Sequence, residues 1–139
     1  MPSSRRRSSP AARADPTAAQ VAHVDCLIAK AVSQHAHRGT KVWRECQTCG
    51  QLFTGPMQTG LGEAFWSRVC DQAEESNERL FAGANLAECR RFDRQYADAE
   101  RIDREVLAVT RRVLGEEHPD TLTSAGNLAT SLLHTREVR

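Results

Sequence analysis

Asn85-Leu86-Ala87 recurs as Asn127-Leu128-Ala129, and between the copies runs Leu114-Gly115-Glu116-Glu117-His118-Pro119-Asp120-Thr121. The offset is 42 residues, and around these anchors Leu80 matches Leu122 and Gly83-Ala84 match Ala125-Gly126. A fixed period of this size marks a helical array, in which each unit buries its apolar face only against a neighbour. The phases agree with helices. From Tyr96 the apolar positions Ala99, Ile102, Val106, Leu107, Val109, Val113 and Leu114 keep close to i, i+3, i+4, i+7 spacing. Asp98, Glu100, Arg101, Asp103, Arg104, Glu105, Arg111 and Arg112 are expected on the solvated side. Gly115 ends this helix, with cations in its last turn where they suit the dipole. Pro119 opens the next at a position that needs no backbone donor. Residues 96–114 and 119–135 are therefore predicted as an antiparallel helix pair.

The same motifs carry a family resemblance. Asn85-Leu86-Ala87, then Tyr96-Ala97-Asp98-Ala99-Glu100, then the Leu114–Thr121 turn resemble the tetratricopeptide repeat of the kinesin light chain type. The resemblance implies an all-α solenoid fragment of antiparallel helix pairs, with one complete repeat and a second cut short within residues 76–139. It also implies a concave surface for a peptide or protein partner. Asn85 and Asn127 are then the candidate partner-binding residues, although the same asparagines can equally serve helix packing. One departure is Arg94, with Arg136 in the second copy, where the family carries glycine before the second helix. An L-residue in a left-handed turn is strained there.

Composition bounds the remainder. At 139 residues the chain holds one compact domain or two small modules. A net charge of +1 favours neither nucleic acid nor an acidic partner. No apolar run reaches the ~18 residues of a membrane span, so no membrane association is expected. The basic, serine-rich start is not a secretory signal and is expected to be a disordered tail over residues 1–20, with a transit peptide or weak nuclear signal as the alternative. Five cysteines without such a signal point to a reducing compartment, the cytoplasm or the nucleus.

A second informative stretch spans residues 21–56. His23-x-x-Cys26 is followed, nineteen residues on, by Cys46-x-x-Cys49. Imidazole and thiolate pairs two residues apart suit tetrahedral zinc, because one tight turn aims both side chains at one ion. Gly50 follows the second pair, Trp43 and Phe53 bracket it, and a short amphipathic helix through Val24, Leu27, Ile28, Ala31 and Val32 ends near Gly39. This pattern resembles the second half of a RING-CH zinc finger, whose fifth to eighth ligands fall on His23, Cys26, Cys46 and Cys49. The resemblance implies zinc as cofactor and an E3 ubiquitin ligase, or a remnant of one, in which the finger positions another enzyme and contributes no catalytic side chain. No cysteine precedes Cys26, so the first four ligands of the family have no counterpart. A metal-free reading stands beside it, with His23 and Cys26 merely one turn apart on a helix. His35 and His37 are expected to be solvated, and Cys70 and Cys89 to pack.

Thr54-Gly55-Pro56 marks a boundary, and Gly60 and Gly62 are expected to keep the following residues loose. Residues 63–92 read either as one long helix or as two broken near residues 75–77, the first part (57–75) capping the array. Trp66 is placed to bridge the two modules. At the far end Val138 aligns with Tyr96, so Leu128, Leu132 and Leu133 lack a following helix. A partner covers them, the chain self-associates, or the sequence is a fragment of a longer array. No nucleophile–base set or phosphate loop stands out. The leading expectation is a non-enzymatic interaction scaffold.

Overall fold

The computed structural model describes residues 16–46 and 48–137, with side chains from residue 24 onward. The first fifteen residues of the expected tail and the His23 side chain lie outside the described residues. Among the described residues five α-helices follow one another: α1 Pro16–Arg38, α2 Gly55–Val69, α3 Asn77–Phe92, α4 Tyr96–Leu114 and α5 Pro119–Glu137. A 3₁₀ turn, Thr40–Trp43, stands between α1 and α2. Among the described residues there is no named strand, only a single antiparallel bridge between Glu45 and Leu52. No helix among them is long and apolar enough to cross a membrane. The described residues form an all-helical architecture, as the repeat pattern required.

The front half closes on an aromatic core. Trp43 is 1% exposed and stacks on Phe65, with ring centroids 5.1 Å apart and planes 4° from parallel. Ala31 from α1, Leu61 and Val69 from α2 and Ala82 from α3 complete the cluster, with Leu27, Ile28 and Phe53 packed against it. Val32, expected on this face, is instead 41% exposed. The inner position goes to His35, which was expected to be solvated. Its Nδ1 accepts from the Trp43 indole N–H at 3.0 Å and its Nε2 lies 2.6 Å from Glu78 Oε2 on α3. A histidine serves there because the face must meet an indole donor and a carboxylate as well as rings. His37 is exposed, as expected.

Helices α2 and α3 are separate, which decides between the two readings of residues 63–92. The break falls over residues 70–76, and Ser76 caps α3 by accepting from the Arg79 N–H at 3.3 Å. Cys70 lies in that break and is exposed, so its expected packing role fails, while Cys89 is fully buried. Burial pushes the Cys89 thiol up to about 11. Gly60 and Gly62 do not loosen the chain; both lie inside α2. A Cβ on Gly60 would meet Val24 Cγ1 at 2.5 Å, and one on Gly62 would meet Cys89 Sγ at 2.7 Å. The glycines are there for close helix approach. Gly62→Ala is therefore expected to destabilise the chain by about 1–3 kcal/mol, read as a lower urea midpoint. An unchanged midpoint would mean that α2 can simply shift outward.

The back half is the helix array. Leu86 and Ala87 of α3 pack on Ala99, Ile102 and Val106 of α4, with Leu80 beside them. Trp66 packs against both this cluster and the aromatic one, so it joins the halves as expected. Helix α5 contacts α4 through hydroxyls: Thr121, Ser124, Ser131 and Thr135 are its buried side chains, facing a buried Thr110. Tyr96 stacks on His134 at 4.9 Å and pins the start of α4 to the end of α5.

The turn from α3 to α4 contains the strained residue anticipated from sequence. Arg94 has φ 63°, while Arg136 lies within α5 and needs no such turn. The Gln95 N–H reaches back to the Arg90 carbonyl at 2.8 Å, closing the helix end. Arg94→Gly is expected to raise stability by about 1 kcal/mol, seen as a higher unfolding midpoint. A decrease would mean that the arginine side chain contributes more than its backbone strain removes.

Candidate protein-binding groove

Helices α3 and α5 form two walls of a groove of about 670 Å³, with Val106, Thr110 and Leu114 of α4 at its base. Both sequence-anchored asparagines line it. They reach it because the 42-residue offset places each at the same position of an equivalent helix. Asn85 is 95% buried and its Nδ2 has no hydrogen-bond partner among the described residues. Asn127 is half-buried. Thr123 and Ser124 add hydroxyls, and Phe81 adds an apolar wall. Carboxamides both donate and accept, so this lining matches the alternating N–H and C=O groups of an extended backbone.

Sequence reasoning missed the charged frame of the groove. Arg44, after the 3₁₀ turn, donates to Glu88 Oε1 at 2.9 Å and sits 5.9 Å from the Phe81 ring centroid. Its stem thus folds the front module onto the groove wall. Arg91, also in the lining, donates to Asp103 Oδ2 at 2.8 Å and to Ser131 Oγ at 3.0 Å. The Ser131 hydroxyl in turn donates to Asp103 Oδ2 at 2.6 Å. Asp103 was expected on the solvated side of α4 but is 2% exposed. It takes that place because one carboxylate ties α3, α4 and α5 together. Desolvation holds its carboxyl above the ordinary value, more than the Ser131 and Arg91 contacts lower it. No local pattern announces this, since its partners are 12 and 28 residues away.

The cysteines expected as metal ligands are only partly brought together. Cys26 is exposed on α1. Cys46 and Cys49 lie in a tight turn under the Glu45–Leu52 bridge, closed by Cys46 N–H to Gln51 O at 2.9 Å and Gly50 N–H to Cys46 O at 2.8 Å. Gly50 has φ 76°, which the turn requires. Backbone N–H groups of Cys49 and then Thr48 face the Cys46 sulfur and hold its thiol below the usual range. Among the described residues, no three of His, Cys, Asp and Glu gather as a metal site, so Cys26 does not join this pair. The turn fits two thiolate ligands of a tetrahedral ion, not four.

Helices α3–α5, two antiparallel neighbours and the first helix of a further unit, define a helical solenoid. Residues 78–137 match the family model described as tetratricopeptide repeat. No curated protein and no solved structure matches the chain. The match covers the groove walls and its base, and repeats of this family support a protein-binding role.

Proposed function

We propose that the chain is a non-enzymatic interaction scaffold whose groove between α3 and α5 takes an extended peptide. The observation that carries this reading is the groove itself, lined by Asn85 and Asn127 at matching positions of α3 and α5 with Phe81 as an apolar wall. Display selection on the immobilised chain, followed by fluorescence polarisation with the selected peptide, tests it. Asn127→Ala is expected to weaken that peptide about tenfold, the effect of losing one hydrogen bond, with an unchanged melting curve. Selected peptides indifferent to both Asn127→Ala and Phe81→Ala would sink the groove reading. The kinesin light chain type of repeat is the form we favour, on the linked motifs over residues 85–129. All five thiols are free, which supports a reducing compartment, cytoplasm or nucleus.

A second reading rests on the Cys46–Cys49 turn, whose two inward N–H groups favour a thiolate ready for metal. In the RING-CH-like ligase reading zinc would take Cys46 and Cys49, and Cys26, apart from them in this structure, would have to be brought in together with His23. Elemental analysis of purified protein decides it. Tightly held zinc, lost on Cys46→Ser with Cys49→Ser, supports that reading, and metal-free protein removes it.

A further inference from the structure

The outer face of α5 has no occupant among the described residues. Leu122 and Leu133 are each 61% exposed, and Gly126 and Ala129 between them are exposed as well. These four positions, spaced by four, three and four residues, lie on one stripe opposite the buried hydroxyls. A glycine inside a helix is unfavourable relative to alanine, yet a Cβ on Gly126 would meet nothing within 4 Å. Gly60, Gly62 and Gly83, by contrast, each have a side chain pressed against them. Nothing among the described residues explains Gly126.

We propose that this stripe is a self-docking surface on which a second copy of the chain lays its own α5 antiparallel. Three observations select that occupant. The stripe has the same spacing and the same large, small, small, large pattern in both directions, with its centre between residues 127 and 128. A two-fold axis there sets Leu122 of one copy over Leu133 of the other and Gly126 over Ala129, the self-complementarity an isologous contact needs. The small pair at the crossing lets the backbones approach.

The second observation is that this kind of face takes an antiparallel helix elsewhere in the fold. Leu80 and Ala87, the counterparts of Leu122 and Ala129, are covered by α4 in the first unit. The third is charge. Glu117, just ahead of α5, and Arg136, near its end, are exposed and make no ion pair among the described residues. Antiparallel pairing brings the acidic turn of one copy beside Arg136 of the other. One 19-residue helix pair is a small contact, in the range of weak, reversible association.

Sedimentation velocity of the full chain over a wide concentration range tests the proposal. A concentration-dependent dimer is expected, and Leu133→Asp should raise its dissociation constant at least about tenfold while leaving circular dichroism and melting unchanged. Cysteine variants then fix the geometry. Leu122→Cys mixed with Leu133→Cys should yield an intermolecular 122–133 disulfide under mild oxidation, identified by mass spectrometry. Each variant alone should not cross-link at the new site, because its twin would lie ~16 Å away at 1.5 Å per residue. A chain monomeric at every concentration, a dimer untouched by Leu133→Asp, or 122–122 cross-links would each overturn the proposal. Binding of a peptide spanning residues 96–114 to a monomeric chain, lost on Leu133→Asp, would also overturn it by assigning the face to an α4-type helix. None of these readouts involves the groove, so peptide binding there stands or falls separately.

Discussion

Trp43→Ala is expected to cost about 3–5 kcal/mol, the range for deleting a fully buried large aromatic, and to open the front half of the molecule. The indole is 1% exposed, stacks on Phe65 and donates to His35. Removing it leaves a cavity and frees the His35 ring, whose other nitrogen holds Glu78 of α3. Three elements lose their common support at once. Hydrogen exchange should therefore show α1 and α2 losing protection before α4 and α5 do. A midpoint shift worth less than about 1 kcal/mol, well below the usual range for such a deletion, would mean that α2 collapses onto α1 without the ring.

The second large effect is expected at Asp103. Asp103→Ala leaves the Arg91 guanidinium, only 14% exposed, without its carboxylate. Breaking a buried pair from one side costs about 3–5 kcal/mol. Ser131→Ala should cost less, about 1–3 kcal/mol for one buried hydrogen bond, and the double variant should cost less than the sum because all three groups share one site. The pH dependence has a defined sign. Burial raises the folded carboxyl above its ordinary 3.8, so the folded state holds this proton more tightly than the unfolded chain. The group's contribution is then most favourable at and below that ordinary value, and it declines as pH rises through the interval just above it. Asp103→Asn should remove this component from the pH–stability profile. A profile unchanged by that substitution would show that the Arg91 pairing cancels the desolvation.

Much of this architecture could be read directly. Gly115 and Pro119 set the α4–α5 turn, since each residue type has one conformational role at a helix end. The 42-residue offset puts Asn85 and Asn127 at equivalent helix positions, and both line one groove. Other features were hidden because they depend on what approaches from far along the chain. Glycine at 60 and 62 signals looseness until Val24 and Cys89 are seen against it. Asp103 and His35 look like surface residues by local periodicity, and their burial is decided by Arg91, Ser131, Trp43 and Glu78 on other elements. Of the three α5 leucines expected to be bare, Leu133 is, but Leu128 and Leu132 are half-buried and Leu122 is exposed instead. The helical period was legible; its rotation against the neighbours was not.

The hydroxyl-lined seat of α5 gives the two ends of the molecule different responses to temperature. The fully buried side chains that α5 brings to α4 are all hydroxyls, so its opening exposes less apolar surface than opening the front and carries a smaller heat-capacity change. The front, sealed by Trp43, Phe65 and Leu61, carries the larger one. Cooling weakens apolar burial and leaves hydrogen-bonded contact comparatively intact. In the cold the aromatic front is the side that loosens first, and the hydroxyl seat is the side that holds.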